Sequence, residues 1–119
     1  MSYTDGFRSL KVYNKTNELV ILIYKLTKNF PKTETFGLIS QMRRAAISVV
    51  ANIIEGWARN SNKEKIQFYH IARGSLTEIE YYIDLSLELK YITSEEHKQL
   101  KEIHTDSAKL LCGLIRSRK

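Results

Sequence analysis

Six polar side chains recur three or four apart along one stretch of this chain: Gln41, Arg44, Ser48, Asn52, Glu55 and Arg59. On a helix that spacing places them along one face, because residues three and four apart are neighbours there. Glu55 and Arg59 stand in the order that favours an ion pair within one helix. Ser75 and Glu78, further along the chain, could face the same row and complete a polar seam between two helices. Such a seam holds acids, amides and a guanidinium, but no histidine or cysteine that could act as nucleophile or base partner. These residue types favour a seam that fixes helix register over a catalytic centre.

The remaining reactive side chains point the same way. A carboxylate-bridged di-metal bundle needs Glu-x-x-His on two helices, which aims carboxylate and imidazole inward together. Here His70 follows Gln67, His97 follows Ser94 and His104 follows Lys101 at that spacing. His97 and His104 lie seven apart among Lys98, Lys101 and Glu102, which reads as an exposed charged face. The lone cysteine, Cys112, sits in the apolar run Leu110–Ile115 and reads as a packed thiol that suits a reducing compartment. There is no Cys-x-x-Cys, no glycine-rich phosphate loop and no nucleophile elbow. The expectation is a protein that is not an enzyme, with no metal and no cofactor.

Charge points instead to anionic partners. The formal net charge is +6, and residues 1–32 carry six Lys or Arg against two acids. Lys11, Lys25 and Lys32 recur on a seven-residue frame with Lys15 and Lys28 beside them, and the chain closes on Arg116, Ser117, Arg118 and Lys119. If the first and last helices are neighbours, these eight cations form a candidate surface for RNA or DNA, since nucleic-acid affinity rests largely on phosphate contacts. The other reading is a protein-interaction scaffold without nucleic-acid binding.

Four helical segments must position these groups. The expected fold is all-α, an antiparallel up-down-up-down four-helix bundle in one domain over residues 1–119, with helices near 8–29, 34–58, 62–90 and 94–116. The first must stop before Pro31, because the residue preceding a proline avoids helical geometry. Thr33 is the expected cap of the second, with Glu34 in its first turn. Ser61 to Glu64 and Thr93 to Glu96 are capping boxes that open the third and fourth. Connections this short impose antiparallel neighbours.

The second helix carries two apolar stripes. One runs through Ile39, Met42, Ala46, Val49 and Ile53; the other, rotated away from it, through Ile47, Val50, Ile54 and Trp57. A surface helix needs one such stripe. Leu19–Tyr24 is apolar around the whole circumference, and Gly74 in the third helix suggests a close helix approach. The excess apolar surface predicts association with further copies of the chain. Met1–Gly6 lacks the apolar core of an export signal and Leu19–Tyr24 is too short for a membrane span, so a cytoplasmic protein is expected.

Gln41 through Ala46, then Ser48, Asn52 to Gly56 and Arg59, with Ala72 to Glu78 as a second stretch, resemble the signature of the 23S rRNA intervening-sequence proteins. That bacterial four-helix-bundle family is also labelled S23 ribosomal protein. The break at Phe30-Pro31, Glu34 and Phe36-Gly37-Leu38 resemble it too, while Val50 stands where members often carry proline. The resemblance implies a homopentamer of four-helix bundles with no known enzymatic activity. It also implies kinship with the accessory variability factor of diversity-generating retroelements, a basic pentamer that binds nucleic acid and a reverse transcriptase.

Overall fold

In the computed structural model, which describes residues 6–119, the chain turns at Pro31 and folds into four long helices. These are α1 (Lys11–Thr27), α2 (Leu38–Ala58), α3 (Asn62–Glu88) and α4 (Ser94–Arg118). Each packs against its sequence neighbour, and α4 closes back on α1, giving an all-α up-down-up-down bundle of 43 × 24 × 23 Å. The described residues include no strand. Residues 1–5, which hold Asp5 and most of the segment read for an export signal, lie outside the described residues.

The helix starts correct the sequence reading at two places. The first helical segment does not run continuously from Arg8. A 3-10 turn over Gly6–Ser9 is followed by extended Leu10 (φ −71°, ψ 129°), and only then by α1. The cause is aromatic: the Phe7 ring packs 5.1 Å from Tyr13 and 5.9 Å from Trp57, which folds this turn across the end of α2. Gly6 has φ +26°, and a Cβ there would lie 2.8 Å from the Trp57 ring, so this turn requires glycine.

Thr33 does not cap α2. It lies in a second 3-10 turn, Lys32–Glu34, and α2 opens four residues later at Leu38. Glu34 supplies the cap: its Oε1 accepts the Leu38 N–H at 3.1 Å, and its Oε2 accepts the Tyr91 hydroxyl at 2.8 Å. That second bond holds the Tyr91 hydroxyl above its ordinary pKa. The two later starts need no such change. At Ser61 only half of the expected box forms, Ser61 Oγ accepting the Glu64 N–H at 3.2 Å with no return bond to the Glu64 carboxylate among the described residues, whereas the Thr93–Glu96 box closes in both directions at 2.9 and 3.0 Å. The third helix ends at Glu88 in a Schellman turn: Tyr91 N–H bonds Ser86 O, Lys90 N–H bonds Leu87 O, and Lys90 takes φ +63°. α2 runs unbroken through Val50.

Leu19, Ile23, Met42, Val49, Ile53, Ile79, Ile83, Leu100 and Leu111 fill the interior. The close approach of two helices falls at Gly56 rather than at Gly74. A Cβ on Gly56 would strike the Tyr69 ring and stand 3.1 Å from the Lys65 carbonyl, whereas one on Gly74 would meet nothing within 4 Å.

In α4 the buried positions are Leu100, His104, Ser107, Leu111 and Ile115, and this register corrects two further expectations. His104 is buried instead of exposed, its Nε2–H donating to the Leu76 carbonyl at 2.7 Å. Cys112, one residue past Leu111 and so about 100° around the helix, is exposed instead of packed. His97 keeps partial exposure and bonds Asp84 at 2.8 Å, while Lys101 reaches both Glu80 (3.1 Å) and Asp84 (3.4 Å). The His97 bond, aided by Lys101, holds the Asp84 carboxyl below its ordinary pKa against the opposing effect of burial.

Gly56→Ala should destabilise the fold by about 1–3 kcal/mol, the usual penalty for forcing an extra methyl into a filled contact. Urea unfolding of the variant beside the native chain measures it. An unchanged midpoint would show that Tyr69 moves aside freely.

Candidate nucleic-acid and self-association surfaces

The polar row on α2 divides into a link between helices and a set of local pairs. Ser48 Oγ lies 2.8 Å from Ser75 Oγ on α3, and Asn52 Nδ2 donates to the Ser48 carbonyl (2.8 Å) and hydroxyl (3.1 Å). Of the row, only Ser48 is hydrogen-bonded to α3 among the described residues, through Ser75, with Asn52 holding Ser48 from its own helix. Arg44 donates to Gln41 on its own helix at 2.6 Å, Arg59 pairs with Glu55 at 3.0 Å and stacks over Phe68, and Glu78 accepts the Tyr82 hydroxyl at 3.2 Å. Burial foremost, then Glu78, raises the Tyr82 pKa. With Ser75 buried and Ser48 and Asn52 half-buried, the trio ties the register of α2 to that of α3.

Arg43 was missed by the sequence reading. Its Nε donates to Thr27 Oγ1 at 2.9 Å, its terminal nitrogen reaches the Tyr24 carbonyl at 3.4 Å, and its guanidinium lies 4.5 Å from the Tyr24 ring centroid. It pins the end of α1 to the start of α2. The available signal was phase: Arg43 lies about 100° from Arg44 around the helix, toward the Tyr24–Thr27 pair.

The eight candidate cations do not form one patch. α1 and α4 are neighbours, but antiparallel packing sets Lys11 beside the end of α4, where Arg116, Arg118 and Lys119 stand exposed. Lys25, Lys28 and Lys32 occupy the opposite end, and Lys25 borders Gln99 and Ile103 of α4. The rise from Lys11 to Lys28 is about 25 Å. Lys15 is ion-paired with Glu18 at 3.1 Å. A cation absent from the sequence set, Lys65 of α3, donates to the Trp57 carbonyl at 2.7 Å and the Gly56 carbonyl at 3.3 Å, capping α2. No local spacing reveals it, because its partners belong to the preceding helix.

The second apolar stripe of α2 is only partly covered. Phe7 and Gly6 pack on Trp57, and α1 lies beside Val50 and Ile54. What stays open is a groove of about 240 Å³ lined by Asn17, Val20, Ile47, Val50, Ala51 and Ile54. Ile47 also lines a neighbouring groove of about 500 Å³ that includes Tyr24, Phe36 and Ile39. Phe36 is 94% exposed and Ile47 48% exposed. Among the described residues no group of three or more His, Cys, Asp or Glu could hold a metal ion, and no helix is long and apolar enough to cross a membrane.

The sequence pattern of the 23S rRNA-intervening sequence protein family fits residues 8–113. The chain belongs to that family. Its fold is also that of a crystal structure of a protein of unknown function from the S23 ribosomal protein family of Bacteroides thetaiotaomicron. That chain is 29% identical, with a TM-score of 0.81 over 88% of this chain and 95% of the other. No curated protein matches. Neither match indicates an enzyme family.

In this member, Asn52→Ala should lower stability by about 1 kcal/mol, the ordinary contribution of a hydrogen-bonded side chain at a half-buried site. Thermal melting reads it. A melting point equal to that of the native chain would free the seam for a ligand role.

Proposed function

We propose that this chain is a non-enzymatic, homo-oligomeric adaptor, pentameric by family resemblance, that binds RNA or DNA through the exposed cations of α1 and α4. The observation that carries the reading is charge without internal partners. Of the eight candidates only Lys15 is ion-paired among the described residues, although thirteen acids are present in the chain. Cations that a fold leaves unpaired on its surface are available to phosphate. Assembly through the open α1–α2 face would repeat each patch around the oligomer, and a repeated field attracts polyanions far more strongly than a single copy does.

A second reading, a scaffold that docks a polypeptide, draws support from Phe36. A phenylalanine this exposed, on a turn held by Glu34, has the form of an anchor for an apolar partner pocket.

One titration separates the two. A fluorescently labelled single-stranded RNA of mixed sequence is followed by anisotropy as salt rises from about 50 to 200 mM. Phosphate contacts predict an affinity that falls at least about tenfold over that range. A flat response, or no binding at the lowest salt, removes the nucleic-acid reading and leaves the scaffold.

A further inference from the structure

One end of the bundle gathers the start of α1, the last turn of α2, the first turn of α3 and the last turn of α4. With the adjoining 3-10 turn that holds Arg8, this end carries eight Lys or Arg against two acids, Glu55 and Glu64, among the described residues, while the remainder carries eleven against ten. This end therefore carries +6 and the rest of the described residues +1, in a body 43 Å long. Chain order hides this concentration, since the residues responsible come from four separate segments.

Two of the cations there, Lys65 and Arg118, are close enough to oppose each other. Burial foremost, and then the charge of Arg118, depresses the Lys65 ammonium, and Arg118 also acts on Tyr69 one turn further along α3. Lys65 is fixed in place by its bonds to the Trp57 and Gly56 carbonyls. Arg59 is paired with Glu55, but Lys11, Lys63, Arg116, Arg118 and Lys119 have no carboxylate within ion-pairing distance among the described residues. A bound anion beside the fixed Lys65 ammonium would offset the charge that Arg118 adds there.

We infer that this end is the phosphate-binding site for a nucleic-acid strand, formed by Lys63, Lys65, Arg116, Arg118 and Lys119 with Lys11 at its edge. This inference rests on the nucleic-acid reading above and narrows it: Lys25, Lys28 and Lys32, at the far end, are not part of the site. The ligand is a strand rather than a single small anion because the cations are spread over the ends of several elements. A nucleic-acid backbone presents charges at regular intervals along such a surface.

Two triple variants test it. Lys63→Glu/Arg116→Glu/Arg118→Glu alters the charged end, and Lys25→Glu/Lys28→Glu/Lys32→Glu alters the far end. All six side chains are exposed, and circular dichroism with thermal melting checks that both variants fold. Both shift net charge equally, so an effect of overall charge would strike them alike. Affinity for the same labelled single-stranded RNA is measured at low salt and across a salt series. The charged-end variant should lose at least about 100-fold in affinity and flatten the salt slope by about 2, for three phosphate contacts at about 0.7 each. The far-end variant should stay within about threefold of the native chain. Equal losses, or a larger loss at the far end, would overturn this site while leaving nucleic-acid binding intact. Failure of the native chain to bind would remove the functional reading and the site with it.

Discussion

α2 has two apolar stripes; this bundle encloses one and covers the other only in part. Of the first stripe, Met42, Ala46, Val49 and Ile53 are almost wholly enclosed, while Ile39 is only half-buried and lines the groove with Phe36. The other meets α1 at an edge and meets the N-terminal turn at Trp57, which leaves Ile47 open next to Phe36. Magnitudes decide what could cover the opening. Burying Phe36 and Ile47 would contribute roughly 1.5–3 kcal/mol each. Association itself costs about 4–15 kcal/mol in lost freedom. Two side chains alone would therefore not hold an interface; one formed between copies on this face would need the whole groove of Val20, Tyr24, Ile39, Val50 and Ile54.

The polar contacts divide the work among the helices. α3 is tied to α2 by the Ser48–Ser75 bond, which Asn52 supports from α2, and by Lys65, and to α4 by the Asp84, His97 and Lys101 group and by the buried His104 bond to Leu76. α1 is held differently, by apolar packing and by Arg43 at its far end. The face between α1 and α2 thus carries little internal hydrogen bonding besides Arg43, and its open grooves are mainly apolar. The cations lie away from it, at the ends of the bundle, so assembly through this face would leave them free for phosphate.

What was legible in the sequence follows from the range of the forces involved. The Thr93 box, the Ser61 cap and the break at Pro31 are local, and they read correctly because each depends on residues within one turn. Glu34 was placed in the first turn of the second helix, but its actual part, capping Leu38 and bonding Tyr91 across the bundle, depends on a partner 57 residues away. His104 and Cys112 were misread because a helical phase uncertain by one residue, about 100°, exchanges inside for outside. Gly74 and Gly56 look equally suited to a close approach in sequence, and only the position of Tyr69 distinguishes them. The family signature was legible because it combines two motifs at a fixed separation. The basic end was not, since it is assembled from residues as distant as Lys11, Lys65 and Arg118.

Sedimentation velocity of the native chain over a range of micromolar concentrations bears most directly on the uncovered stripe of α2. An account in which that stripe is an interface between copies predicts a discrete species several times the 13.9 kDa of one chain, stable on dilution through this range. A single species of one chain's mass at every concentration would contradict it.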